Sequence, residues 1–158
     1  MKPSFGRPLP AGRIAGVDYG RRRIGLAICD VERIIASPLC VRIVTGDLRA
    51  ESAFFRDLAA SEEIVGFVVG LPVHADGTES PMSREAERFG DWLGTVTGRP
   101  VAYQDERYSS REAAGRLAGV GLTRARKRER SDAVAAQVVL QSWLEAQVPG
   151  DRPGPLEG

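Results

Sequence analysis

The sequence predicts an α/β domain built on one mixed sheet of five strands, three antiparallel and then two parallel, flanked by helices. Three observations carry that expectation. Residues 13–44 hold three short apolar runs joined by brief polar links, the pattern of an antiparallel meander. Residues 64–71, IVGFVVGL, are almost continuously apolar, as in a strand buried on both faces of a parallel sheet. Helical periodicity before and after that run supplies the crossovers that return parallel strands to the same sheet.

The elements follow in order. Arg13 to Asp18 reads as a first strand. Tyr19-Gly20-Arg21-Arg22 turns the chain, with Gly20 able to take positive φ. Arg23 to Cys29 alternates as a second strand, and Ile34 to Val44 follows as a third. Asp47 to Ala60 sets Leu48, Phe55, Leu58 and Ala59 on one helical face. After the apolar strand, Ser80-Pro81 opens a helix as N-cap and first-turn proline, with Ala86, Phe89, Leu93 and Val96 as its apolar stripe. Gly98 ends it, and Pro100 to Gln104 makes a fifth strand. Ser109-Ser110-Arg111-Glu112 fits a capping box for a short helix through Leu117. A last helix is expected from Ser131 to Ala146, with Val139 and Trp143 facing inward. The order β-β-β-α-β-α-β-α-α is the layout of a ribonuclease H-like fold, which by itself assigns no function.

The chain has 158 residues, enough for one domain with a real core. That domain is expected over residues 13–147, between a Pro- and Gly-rich extension (1–12) and a similar tail (148–158), both expected to be disordered. Lys and Arg number 22 against 21 for Asp and Glu, so net charge points to no polyanionic partner. Distribution is more informative: Arg21-Arg22-Arg23 and the run from Arg124 to Arg130 form two basic clusters, readable as solvated loops or as a local positive surface. Cys29 and Cys40 lie in apolar runs without metal-ligand spacing and read as small core residues. No apolar run approaches a membrane span and no signal-peptide core is seen, so the expectation is a cytoplasmic protein without a membrane partner. One histidine, His74, excludes a His-rich metal site.

Three acidic positions stand where elements end: Asp18 after the first strand, Asp105-Glu106 after the fifth, and Asp132 at the expected start of the last helix. Such ends are where a doubly covered sheet opens to ligands. Each also has an ordinary reading. Asp18 can be a turn residue, Asp105 and Glu106 solvated charges, and Asp132 a complement to its helix dipole.

Four stretches then resemble a known family: GVDYGRRRIGLA at 16–27, VVGLPVHADGTES at 68–80, DERYSSREA at 105–113 and SDAVAAQVVLQSWL at 131–144. In that order, and spanning most of the chain, they resemble the YqgF family, also called RuvX, of Holliday-junction-resolvase-like proteins and nucleases of precursor 16S ribosomal RNA. The sequence departs from the family's pattern at Ser131, where a hydrophobic residue is usual, and at Ser110, where threonine is usual. The resemblance implies a ribonuclease H-like, metal-dependent nuclease that hydrolyses phosphodiester bonds, maturing the 5′ end of precursor 16S rRNA in ribosome biogenesis. Branched DNA is the alternative substrate, and a non-catalytic nucleic-acid-binding adaptor the alternative role.

Carried over residue by residue, the implied metal ligands and catalytic groups are Asp18, Glu106 and Asp132, with Asp105 open as the ligand in place of Glu106. Carboxylates suit hard Mg²⁺ or Mn²⁺, and a two-ion centre activates water and stabilises the leaving oxygen. Arg21, Arg22, Arg107, Arg126, Lys127 and Arg128 would contact nucleic acid through its phosphates, giving salt-sensitive, largely sequence-independent affinity. Gly16 and Gly20 would let the main chain approach without a side chain intervening. Strand alternation sets Arg23 and Gly25 opposite Arg22 and Ile24, so the three arginines cannot all reach one ligand. Tyr19 and Tyr108 read as half-buried packing or as platforms for an unpaired base. Monomer and homodimer both stay open.

Overall fold

Alternation along the strands decides which residues lie on which side of the sheet. In the computed structural model, residues 8–72, 76, 78–106 and 124–147 are described. The strands are β1 (Arg13–Asp18), β2 (Arg23–Cys29), β3 (Ala36–Ile43), β4 (Ile64–Leu71) and β5 (Val101–Asp105). They form one sheet in the order β3-β2-β1-β4-β5. β1 pairs antiparallel with β2 and β2 with β3, whereas β4 runs parallel to both β1 and β5. The mixed sheet matches the expectation from sequence.

One face of the sheet is built from large side chains. Val17, Ile24, Leu26, Phe67, Val69 and Leu71 are buried there. They pack on helices α1 (Leu48–Ser61) and α2 (Pro81–Thr97), which contribute Phe55, Ala86 and Leu93. Both helices are capped as their sequences require. The Asp47 carboxylate accepts from the amides of Arg49 and Ala50, and Ser80 and Ser83 bond each other's backbone in a capping box. Gly98 takes the left-handed conformation that closes α2.

The other face is built from small residues. Gly16, Gly25, Ala27, Gly70 and Ala102 lie beneath one helix, α3 (Arg124–Ala146). A Cβ on Gly16 would lie 2.7 Å from Leu140 Cβ, and one on Gly25 would overlap the Asp132 carbonyl oxygen. The helix therefore rests almost on the sheet backbone. Val139, Leu140 and Trp143 fill the remaining space against Ile14, Cys29 and Val68. Val139 and Trp143 face inward as the periodicity requires.

Several expectations are corrected. The last helix begins at Arg124, not Ser131. The run RARKRER consists of good helix formers with no breaker, and the Ser-Asp pair that resembles an N-cap is interior. The third strand begins at Ala36 rather than Ile34. The amides of Ile34 and Ile35 both donate to Asp30 Oδ1 at 2.8 Å, which holds the two isoleucines out of the ladder and exposed. Gly20 has no positive φ; its lack of a side chain makes room for the Arg23 carbonyl oxygen. Gly16 makes room for α3, not for a ligand.

Ahead of β1, Leu9 packs against the α3-side core, and Arg33 Nε donates to the Gly12 carbonyl at 2.9 Å. The short helix expected at 109–117, His74, Tyr108 and the tail 148–158 lie outside the described residues. Both cysteines are free, Cys29 buried and Cys40 partly so. No helix among the described residues is long and apolar enough to cross a membrane.

The two kinds of glycine predict different penalties. In Gly25→Ala the new methyl meets helix backbone that yields only if α3 shifts, for a loss of about 2–3 kcal/mol. In Gly46→Ala nothing lies within 4 Å and only the positive φ of 85° is unfavourable, for about 1 kcal/mol. Thermal unfolding of the two variants should rank them in that order.

Candidate active site

Asp18 is the last residue of β1 and, by alternation with Gly16, points to the α3 side. Its antiparallel partner across β2 is Gly25. On the other side, Gly70 follows Val69, the β4 partner of Val17. The strand end bearing the carboxylate is thus flanked by two residues without side chains. Each vacated space is taken by another acid's chain segment. The backbone of Asp132 sits on Gly25, and the Glu106 carboxylate lies over Gly70, where a Cβ would meet its Oε2 at 2.6 Å.

The electrostatics agree. Burial, and then the nearby carboxylates of Glu106 and Asp132, push Asp18 up from 3.8 to about 7. Burial and then the charge of Asp105 push Glu106 up as well. Asp105 pairs with Leu71, whose side chain belongs to the opposite core, so Glu106 and not Asp105 shares the space of Asp18. Asp105 is not among the groups that raise Asp18.

Asp132 is also the partner of Arg23, whose Nε donates to Oδ2 at 2.7 Å. Arg23 starts β2 on the same face as Gly25, two residues along. This pair was missed in the sequence, although the alternation of Arg23 with Gly25 was the signal for it. Among the described residues, no three of His, Cys, Asp or Glu stand at metal-ligating spacing.

The expected nucleic-acid contacts are distributed differently. Arg21 forms a two-pronged ion pair with Glu85 of α2, its Nε 2.9 Å from Oε1, on the side of the sheet away from Asp18. Arg22 is exposed. Arg126, Lys127 and Arg128 fall in the first turns of α3, and Arg107 lies outside the described residues. Tyr19 packs on Phe89, ring centroids 5.0 Å apart.

A five-stranded sheet of this order, with helices on both faces, is a ribonuclease H-like fold. The fold is shared with two structures of Thermus thermophilus RuvC, one of them in complex with a Holliday junction substrate. The complex aligns with a TM-score of 0.55 at 19% identity over 85% of this chain and 94% of that one, and the other RuvC structure with 0.51 at 14% identity over 85% and 95%. Residues 12–146 match the RuvX family, described as Holliday junction resolvase, and the chain belongs to that family.

Similar curated proteins bear the name "Putative pre-16S rRNA nuclease". One from Rhodopirellula baltica is 48% identical over 135 residues, 85% of this chain and 78% of the relative. One from Anaeromyxobacter dehalogenans is 43% identical over 87% of this chain and 99% of the relative.

The crowding of carboxylates has a measurable consequence. Folded Asp18 holds a proton up to about pH 7 that the unfolded chain releases near 3.8, so the folded state binds more protons in that window and stability falls as pH rises through it. The penalty is complete above pH 7 and absent below about pH 4. In metal-free protein, Asp18→Asn should therefore raise Tm at pH 8, by about 5 °C, and the gain should disappear towards pH 4.

Proposed function

We propose that this protein is a metal-dependent nuclease that hydrolyses phosphodiester bonds in precursor 16S rRNA, maturing its 5′ end in the cytoplasm, with residues 13–147 as the single nuclease domain. The observation that carries this reading is the convergence of Glu106 and Asp132 on Asp18 through the two glycines beside it. Family membership and the relatives' names support it.

In donor type, though not in spacing, the set suits a hard divalent cation. It is all carboxylate, and Asp18 is buried among like charges that a cation would relieve. Asp18, Glu106 and Asp132 would hold Mg²⁺ or Mn²⁺. Bound there, the metal supplies an activated water and stabilisation of the leaving oxygen.

The protein's own groups do the rest. Asp18 and Glu106 present oxygens from opposite sides of the β1–β4 seam. Arg23 neutralises Oδ2 of Asp132 and keeps its side chain oriented, leaving Oδ1 as the acceptor. Exposed Arg22, with Arg107, Arg126, Lys127 and Arg128, would take the phosphates of the strand; Arg21 would do so with its remaining Nη1, in competition with Glu85.

A second reading is favoured by one observation. Because Asp132 is already paired with Arg23, the acids can also serve a binding adaptor that does not cut. Labelled precursor 16S rRNA and a four-way DNA junction, offered in parallel with Mg²⁺, Mn²⁺ or EDTA, decide between them. Cleavage of the RNA that needs metal is expected, with Asp18→Asn lowering it more than the roughly hundredfold typical for loss of a group behind a metal ligand. Binding without cutting in any metal supports the adaptor, and preferential cutting of the junction supports a DNA resolvase.

Charge at the turn gives a separate prediction. Arg22→Ala should weaken binding similarly for all sequences and lower the slope of log affinity against log salt by about 1. An unchanged slope, measured by fluorescence anisotropy, removes Arg22 from the interface.

A further inference from the structure

On the sheet face opposite Asp18, a groove of about 430 Å³ opens beside the β1–β2 turn. Tyr19, Phe89 and Trp92 form one wall, their rings stacked in an inclined series with neighbouring centroids 5.0 and 5.7 Å apart. Ile24 closes the floor. Leu48 stands at the rim, 69% exposed in the first turn of α1, a large apolar side chain that nothing in its own helix explains.

The polar groups are equally specific. Two carboxylates line the groove, and both are paired: Glu85 with Arg21, and Glu51 with Arg42 and Thr45. Arg88, also lining it and exposed, adds positive charge beyond these pairs and acts on both Glu85 and Tyr19.

A planar ring system attached to an anion answers this combination. The aromatic wall accepts a π-face, Arg88 accepts negative charge, and the volume lies within the range of small-ligand pockets. A nucleotide has that chemistry, and every base can stack. Position selects its source. Tyr19 directly follows Asp18, so the groove and the carboxylates lie on two sides of one strand end.

We propose that this groove takes one unpaired nucleotide of the substrate strand, its base against the Tyr19–Phe89–Trp92 wall and its phosphate at Arg88, and so selects which bond is presented at Asp18. The proposal rests on the nuclease reading. It assigns the protein a preference for substrates with an unpaired nucleotide beside the cut.

Tryptophan fluorescence tests it in EDTA, where no cutting occurs. Trp92 lies in the groove, whereas Trp143, on α3, is buried against the other face of the sheet. A single-stranded oligoribonucleotide of about eight residues should quench the emission, and the same sequence in a full duplex should not. Leu48→Asp and Arg88→Ala, both at exposed positions, should each weaken single-strand affinity by about tenfold and leave duplex affinity within about twofold.

Absent quenching, or variants that bind the single strand like the parent or lose duplex affinity equally, would overturn the groove as a nucleotide site. A free nucleoside monophosphate that quenches at the same concentration as the oligonucleotide would overturn the substrate strand as its source. The nuclease reading fails separately, by absence of cutting in every metal, and that result leaves the quenching measurement intact.

Discussion

The contact between α3 and the sheet is the constraint on which the remaining architecture depends. The helix can lie against backbone only because Gly16, Gly25 and Gly70 carry no side chains there. Each such glycine costs about 0.5–1 kcal/mol in strand entropy. The close approach is also what brings the Asp132 segment to the partner of Asp18, and Gly70 is what lets Glu106 lie beside it. Crowding three acids is unfavourable, as the raised proton affinity of Asp18 records. Burial of Trp143, Leu140, Val139 and Val68 along the same contact offsets it. Stability is thus supplied at one end of α3 and spent at the other, as expected of a site whose charges are held in place for a ligand.

The two faces of the sheet divide the work. Beneath α1 and α2, large side chains and the ring cluster of Phe54, Phe55, Phe89 and Trp92 separate helices from sheet by ordinary core packing. Beneath α3 the layer is thin, with glycines and alanines beside Ile14, Cys29 and Val68. The β1–β2 turn joins the two sides, because Asp18 faces one and Tyr19 packs on the other. A strand of nucleic acid lying across this end of the sheet would meet carboxylates on one side of the turn and an aromatic groove on the other.

Most of the fold was legible because strand alternation and helix caps are local. The five strands, Ser80-Pro81, Gly98 and the position of Asp18 all follow from neighbours within a few residues. What escaped was tertiary. Seven residues of α3 were read by their charge, as a basic surface run, when their propensity was helical. Asp105 and Glu106 could not be separated, since the choice depends on whether the partner across β4 is Leu71 or Gly70. Glu85 and Arg88 carried no signal, being ordinary charges on a helix until Arg21 and Tyr19 are brought against them. Gly16 looked like a ligand's approach path because nothing local reveals that a helix distant in sequence lies above it.

Three consecutive arginines illustrate why charge runs mislead. Counted together, Arg21, Arg22 and Arg23 suggest one phosphate-binding patch. Arg23 lies in β2 on the α3 side and is tied to Asp132; Arg21 precedes the strand and is tied to Glu85 on the other side; Arg22, between them, is exposed. Each of the two engaged arginines is paired with an acid, and a phosphate arriving at either would compete with that carboxylate. The turn's contribution to polyanion affinity would therefore be smaller than its count of charges, while two of its three arginines hold carboxylates. Basic residues that flank acids at a strand end are better read as pairs, with alternation deciding which acid each one holds.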